Sequence, residues 1–169
     1  PYTKILCPVR DIVSILNSFE VLFNKNCFYT KQINEQVFSN SIYLRIQEIF
    51  ERGLDNCHAN LQEGYAFNPE MICFIEYENL CKEPEKTMKR VYEFLEKPYY
   101  SHDFEDIEYS NEYFDKTCNV KNLHTVRRKV EYKPPRCVLP PEIVQKYKKM
   151  NMEFWRKNNK MNPDIIKYK

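Results

Sequence analysis

Two rhythms of apolar and polar positions alternate along this chain. Between Thr3 and Val9 a short apolar run stops at a charge, Arg10, and predicts a buried strand. From about Asp11 to Phe23 the apolar residues Ile12, Ile15, Leu16, Phe19 and Leu22 recur at helical spacing, and Ser14 and Ser18 share a face of that helix. Residues 24 to 40 are less periodic and read as a loop or short helices. Ser41 to Gln62 returns to the helical rhythm, with Ile42, Ile46, Ile49, Phe50, Leu54 and Leu61 on one stripe. Gly53 weakens that helix by about 1 kcal/mol relative to alanine. Tyr65 to Pro69 reads as a break.

The second strand is predicted at Met71 to Ile75, a continuous apolar run consistent with burial on both faces. Glu76 to Leu80 follows directly. Pro84 suits the first turn of a helix, where its missing N–H costs nothing. That helix runs to about Leu95, with Met88, Val91, Tyr92, Phe94 and Leu95 on its apolar face, and Pro98 ends it. Tyr99 to Pro135 is long, aromatic and charged without a clear period, as functional or unstructured connections are. A final helix is predicted from Pro140 and Pro141 through Ile143, Val144, Tyr147, Met150, Phe154 and Trp155, with a polar tail after Asn158. Two strands alternating with helices imply an α/β layered domain, a parallel sheet flanked by helices. With no internal repeat or low-complexity linker, residues 1–169 read as one domain.

Composition narrows the function. A length of 169 residues is enough for one core. The net charge is only +2, so no overall basic field argues for nucleic acid and any anion site must be local. Cys7, Cys27, Cys57, Cys73, Cys81, Cys118 and Cys137 are odd in number and form no Cys-x-x-Cys or Cys/His pattern. That argues against a disulfide framework and against zinc, so no metal is expected, and several of them read as small core residues. A reducing, cytoplasmic setting fits this usage better than secretion. No apolar run reaches the ~18–20 residues that cross a bilayer, and no signal peptide opens the chain. The start at Pro1, close to the first strand, reads as a fragment or a processed piece.

The candidate chemistry begins at Arg10. Ligands of parallel α/β sheets sit at the carboxyl ends of strands, and Arg10 is at such an end. Ser18 follows two turns into the next helix and can lie beside it. A planar fork of donors and a hydroxyl suit a phosphomonoester. On spacing alone, an ordinary strand-to-helix arginine with a solvent-facing serine is the plainer reading.

Longer segments add a resemblance. VRDIVSILNSF resembles the 3′-phosphate-binding segment of sulfotransferases that use PAPS (3′-phosphoadenosine 5′-phosphosulfate), in which an Arg ends a strand and a Ser follows eight residues later. Those positions are Arg10 and Ser18 here. IEYENLCKEPEKTMKRVYEFLEKP resembles the family's strand, its Y-E-D/N-L turn and the Pro-led helix after it, which implies that Tyr77 lies near the adenine. HDFEDIE, LHTVRRKVEYKPP, LPPEIV and MNMEFW are similar to the C-terminal portion of bacterial and phage-like sulfotransferases. There a basic loop returns to the 3′-phosphate, which implies that role for Arg127, Arg128 and Lys129. The resemblance implies a P-loop-NTPase-like sulfotransferase fold and PAPS as co-substrate, with the product PAP leaving after sulfuryl transfer. The partners implied are the nucleotide and a hydroxyl-bearing sugar or small metabolite.

One signature of that family is missing. Its Lys-Ser-Gly-Thr loop cradles the 5′-phosphosulfate with backbone N–H groups and needs glycine for close approach. Neither Gly53 nor Gly64 lies between a strand end and a helix start, so the resemblance covers the C-terminal half to two-thirds of a sulfotransferase, without its N-terminal part. The catalytic residues stay unassigned. His124 could face the nucleotide, whereas His58 and His102 read as structural or exposed. Tyr92, Phe94, Tyr99, Tyr100 and Phe104 read as packing. The rival reading is an inactive nucleotide-binding or protein-interaction module that keeps the fold. In that case the exposed edge of a shortened sheet would favour association with another chain, a homo-oligomer included. A nucleotide kinase is disfavoured because no Gly-rich loop is present.

Overall fold

A computed structural model describes residues 3–25, 41–109, 115, 126–134, 136–150 and 152–156. Strand β1 (Ile5–Val9) leads into helix α1 (Ile12–Lys25). A long helical stretch follows: α2 (Ile42–Ile49), a π-helical turn at Phe50–Leu54, and α3 (Asp55–Phe67). A 3₁₀ turn at Pro69–Met71 delivers the chain to β2 (Ile72–Glu76). Then come α4 (Tyr77–Lys82), α5 (Pro84–Phe94) and, after an irregular region, α6 (Pro141–Lys149). The strands pair in parallel, with Ile5 opposite Ile72 and Val9 opposite Glu76. The result is a small parallel sheet with helices, as α/β alternation requires.

Local chemistry sets the helix ends. Asp11 caps α1: its carboxylate accepts the Ser14 backbone N–H at 2.9 Å, satisfying one of the orphan donors of the first turn. Pro84 occupies the start of α5. At the other end of α5, Glu96 takes a left-handed conformation with φ of 55°. The Lys4 ammonium donates to the Phe94 carbonyl at 2.6 Å and to Glu96 at 2.8 Å, placing a cation at the negative end of the helix.

Two apolar clusters hold the elements together. In the first, Ile12, Val13 and Leu16 of α1 meet Ile46 of α2, Phe50, and Ile143 and Tyr147 of α6. In the second, Val9 and Ile72 of the sheet meet Tyr65, Phe154 and Trp155. Phe74 and Phe154 stack edge to face there, with centroids 5.5 Å apart. Each large side chain so buried contributes on the order of 1.5–3 kcal/mol, so these clusters outweigh the surface ion pairs in holding the fold.

Two polar devices lie within this packing. Glu20 and Arg45 are both buried and form a two-pronged ion pair, with Arg45 Nη2 donating to Oε1 at 2.6 Å and Nε donating to Oε2 at 3.1 Å. The Arg45 guanidinium also lies 3.9 Å from the Phe23 ring centre. Buried Asn17 donates to the Arg136 carbonyl at 3.1 Å and accepts the Val138 N–H at 2.8 Å. It thereby fixes the approach to α6 against α1.

Several elements depart from the sequence-based expectation. The first strand starts at Ile5, and only Val9 in it is buried. Ile5 and Leu6 are 45% and 39% exposed, because the second cluster covers only the carboxyl end of β1. The second strand is shifted one residue, to Ile72–Glu76, and the segment after it is helical. The long helix passes Gln62 and stops at Phe67, and Gly53 sits in its π-helical turn. The last helix stops at Lys149, so Phe154 and Trp155 reach the sheet from an irregular segment instead of extending a helical stripe. Cys7, Cys57, Cys73, Cys81 and Cys137 are free thiols, whereas Cys27 and Cys118 lie outside the described residues. Among the described residues no helix is long and apolar enough to cross a membrane.

Candidate functional site

The carboxyl ends of the two parallel strands bring Arg10 and Tyr77 together. Arg10 follows the last residue of β1, and Tyr77 opens α4 after the last residue of β2. The Arg10 guanidinium carbon lies 4.3 Å from the centre of the Tyr77 ring, a cation–π contact. Helix α1 runs back past this point and presents Ser18. Arg10 Nη1 donates to the Ser18 hydroxyl at 3.3 Å, and that hydroxyl donates to the Ser14 carbonyl at 2.9 Å. Ser18 is exposed and Arg10 half-buried, so the pair faces solvent over a packed floor.

A network of charges lies behind this pair. Glu78 Oε1 is 3.7 Å from Arg10 Nε. Arg156 Nε donates to Glu76 Oε1 at 3.3 Å, its Nη2 lies 4.0 Å from Glu78 Oε2, and its Nη1 lies 3.5 Å from Glu153 Oε2. The Asn79 amide holds the other oxygen of Glu76 at 2.9 Å. Arg10 Nε and Glu78 Oε2 are both buried without a hydrogen-bond partner, and the 3.7 Å contact from Arg10 Nε to Glu78 Oε1 is an attraction of nearby charges, too long for a hydrogen bond. Burial pushes the Tyr77 phenol above its ordinary value, and Cys81 adds to the shift, while Arg10 and Arg127 pull the other way.

The basic segment is tied to the same end of the sheet. The Val130 N–H donates to the Phe104 carbonyl at 2.8 Å and the Ile107 N–H donates to the Arg128 carbonyl at 2.6 Å, so residues 104–107 brace it. The Lys82 ammonium of α4 lies 4.7 Å from the Tyr132 ring centre. Arg127, Arg128 and Lys129 are all exposed. Arg128 pairs with Asp106 at 2.6 Å and faces Glu108 at 3.8 Å, and Lys129 pairs with Glu105 at 2.5 Å. A ligand would have to draw these two cations from their carboxylates. A cavity of about 710 Å³ opens next to the network, lined among others by Asp11, Ser14, Tyr132, Lys148, Glu153 and Arg156.

Of the residues the sequence pointed to, Arg10, Ser18 and Tyr77 meet here, while Arg128 and Lys129 are turned to carboxylates of their own segment's neighbours. It did not single out Arg156, and it assigned Glu76 and Glu78 no role. The two described histidines are occupied with packing. His58 is hydrogen-bonded to the Met152 carbonyl and stacks edge-on against Phe154, 5.3 Å between centroids. His102 pairs with the Tyr92 hydroxyl at 3.1 Å, ringed by Tyr99, Tyr100 and Phe104. His124 lies outside the described residues.

What this arrangement can do chemically is hold an anion with a flat, stacked face beside it. A guanidinium fork and a hydroxyl supply donors for phosphate oxygens, and the half-buried Tyr77 ring offers an aromatic surface beside them. In the comparisons with known proteins, the family model described as the sulfotransferase domain matches residues 1–168. No curated protein and no solved structure matches the chain.

Proposed function

Since the chain belongs to the sulfotransferase domain family, we propose that it binds PAPS and transfers its sulfuryl group to the hydroxyl of an acceptor, a sugar or a small metabolite. In this reading residues 1–169 act as one domain. Arg10 and Ser18 clamp the 3′-phosphate of the nucleotide, Tyr77 lies against the adenine, and Arg127, Arg128 and Lys129 close over the phosphate. The observation that carries the reading is the convergence of Arg10, Ser18 and Tyr77 at the strand ends.

The reaction forms one bond and breaks one. The acceptor oxygen attacks sulfur, the bond from sulfur to the 5′-phosphate oxygen breaks, and PAP leaves with the bonding pair. The acceptor proton passes to a base. The chain's contribution is to fix the nucleotide so that acceptor oxygen, sulfur and leaving oxygen lie in line, and to hold charge at the 3′ end. The guanidinium of Arg10 is suited to this because it is already held over Tyr77 and against Ser18 and so loses little freedom when a phosphate arrives. In this reading the cations that meet the phosphate are those of Arg10, Arg127, Arg128 and Lys129, and no metal is called for.

A second reading is favoured by one specific observation. Both glycines, Gly53 and Gly64, sit inside the long helical stretch, and neither forms the strand-to-helix turn that a 5′-phosphosulfate cradle requires. A module that binds the nucleotide or another protein without transferring sulfate has the same 3′-phosphate clamp.

Calorimetric titration with PAP tests the clamp, and mass spectrometry of acceptors incubated with PAPS tests the transfer. Micromolar PAP binding that Arg10→Ala weakens by about 1.5–3 kcal/mol, the scale of a hydrogen bond to a charged group, is the expected result. Sulfated acceptor then supports the enzyme, and binding without transfer supports the module. A folded chain that ignores PAP overturns both nucleotide readings.

A further inference from the structure

Glu78 poses a problem for any phosphate at Arg10. Its carboxylate sits 3.7 Å from Arg10 Nε, on the far side of the fork from Ser18. Glu76 and Glu153 stand close by, so the network holds three carboxylates to the two guanidiniums of Arg10 and Arg156. An anionic ligand arriving there meets a cation already partly cancelled.

Arg156 relieves this. It reaches all three carboxylates, with its nitrogens 3.3 Å from Glu76, 4.0 Å from Glu78 and 3.5 Å from Glu153. Glu78 therefore stands between two guanidiniums at nearly equal distance and is hydrogen-bonded to neither. At such separations the attractions to the two cations are of similar size. Remove one cation and the carboxylate is left to the other. It would then close on Arg10 Nε, which is buried and has an unused N–H to offer. The fork would be pinned from behind and its charge spent on Glu78.

Resting on the nucleotide reading above, we infer that Arg156 is a positioning residue for the 3′-phosphate clamp: by drawing Glu78 away, it leaves Arg10 free to meet the ligand. Arg156 does this from the segment after α6, whose place is fixed by Phe154 and Trp155 in the second core cluster. It acts through Glu78 and need not touch the nucleotide.

The test is a double-mutant cycle read by calorimetry with PAP as the probe, at low and at physiological ionic strength. Arg156→Ala is expected to weaken PAP binding about fivefold or more, within the range for residues sharing one charge network. Adding Glu78→Gln to that variant is expected to return affinity to within about twofold of the parent, because the neutral amide no longer competes for Arg10. Arg156→Lys, which keeps the charge, is expected to retain most of the binding. Glu78→Gln alone is expected to bind PAP at least as tightly as the parent, and it keeps the test decisive if Arg156→Ala does not fold. A folded Arg156→Ala that binds as the parent does would overturn the inference, as would a double variant no better than Arg156→Ala, or a weakened Glu78→Gln. In each of those cases PAP binding that still depends on Arg10 leaves the nucleotide reading standing. If the parent chain itself ignores PAP, the nucleotide reading falls and takes this role of Arg156 with it.

Discussion

The Ser18 hydroxyl accepts from Arg10 Nη1 at 3.3 Å while donating to the Ser14 carbonyl at 2.9 Å. The guanidinium is thus aimed by a hydroxyl that the helix itself holds in place, and both groups are oriented before any ligand arrives.

Ser18→Ala should therefore weaken PAP binding by about 0.5–1.5 kcal/mol, the net worth of a typical hydrogen bond, without altering thermal stability by a comparable amount. Ser14→Ala keeps the carbonyl that Ser18 uses and serves as the control. Calorimetry on the two variants checks this, and equal affinities for both would remove Ser18 from the clamp.

Breaking the buried pair should cost far more than any surface change. Arg45→Met leaves the Glu20 carboxylate buried without its two-pronged partner and is expected to destabilise the fold by roughly 3–5 kcal/mol. Glu20→Leu combined with Arg45→Met removes both charges and should recover much of that loss. Urea denaturation of the single and double variants decides the matter; a double variant as unstable as Arg45→Met would show that packing around Arg45, and not the stranded charge, is what counts.

Gly53 offers a gain. A Cβ added there meets nothing within 4 Å, and the residue has no positive φ, so its conformation suits alanine. Gly53→Ala is expected to stabilise by about 0.4–1 kcal/mol through the loss of freedom in the unfolded chain. A rise in melting temperature is the readout, and a fall would mean that the π-helical turn depends on glycine.

Alkaline pH should loosen the sheet. Burial holds the Cys73 thiol above its ordinary 9.0 despite the opposing pull of Arg90, and burial does the same for Cys7. In the folded chain these protons are kept to higher pH than in the unfolded one. The stabilisation is therefore complete below pH 9.0 and is lost as pH climbs toward the raised folded value. Unfolding free energies measured from about pH 7 to about pH 10 should fall more steeply for the parent than for Cys73→Ala. Identical slopes would remove Cys73 from the alkaline decline.

The parts of this site that could be read from the sequence are those carried by short local segments. Arg10 and Ser18 are joined by one strand end and two helical turns and so can meet, but spacing alone favours an ordinary strand-to-helix pair, and it is the resemblance of VRDIVSILNSF that singles them out. Tyr77 is reached through the resemblance of its own segment in the same way. Arg156 could not be found like that. It belongs to an irregular segment whose course is set by Phe154 and Trp155 packing onto the sheet, a contact between distant parts of the chain. Glu20 was legible in principle, because it falls on the same stripe of α1 as Ile12 and Leu16, and a charge on an apolar stripe calls for a partner. Its partner, Arg45, comes from another helix and only tertiary packing identifies it. The exposure of Ile5 and Leu6 was not legible either, since an apolar run reads as buried whether or not its neighbours reach it.

The ladder of the small sheet ends with Val9 opposite Glu76. Arg10 and Tyr77 are the next residues after the two strands, so the stack between guanidinium and ring is in effect one more rung, made of side chains where hydrogen bonds have stopped. Loss or gain of a single residue in either strand would set Arg10 beside Glu76 or Glu78 in place of Tyr77, and would turn alternate side chains to the opposite face. The clamp is thus specified by how the strands are counted against each other as much as by which residues they carry.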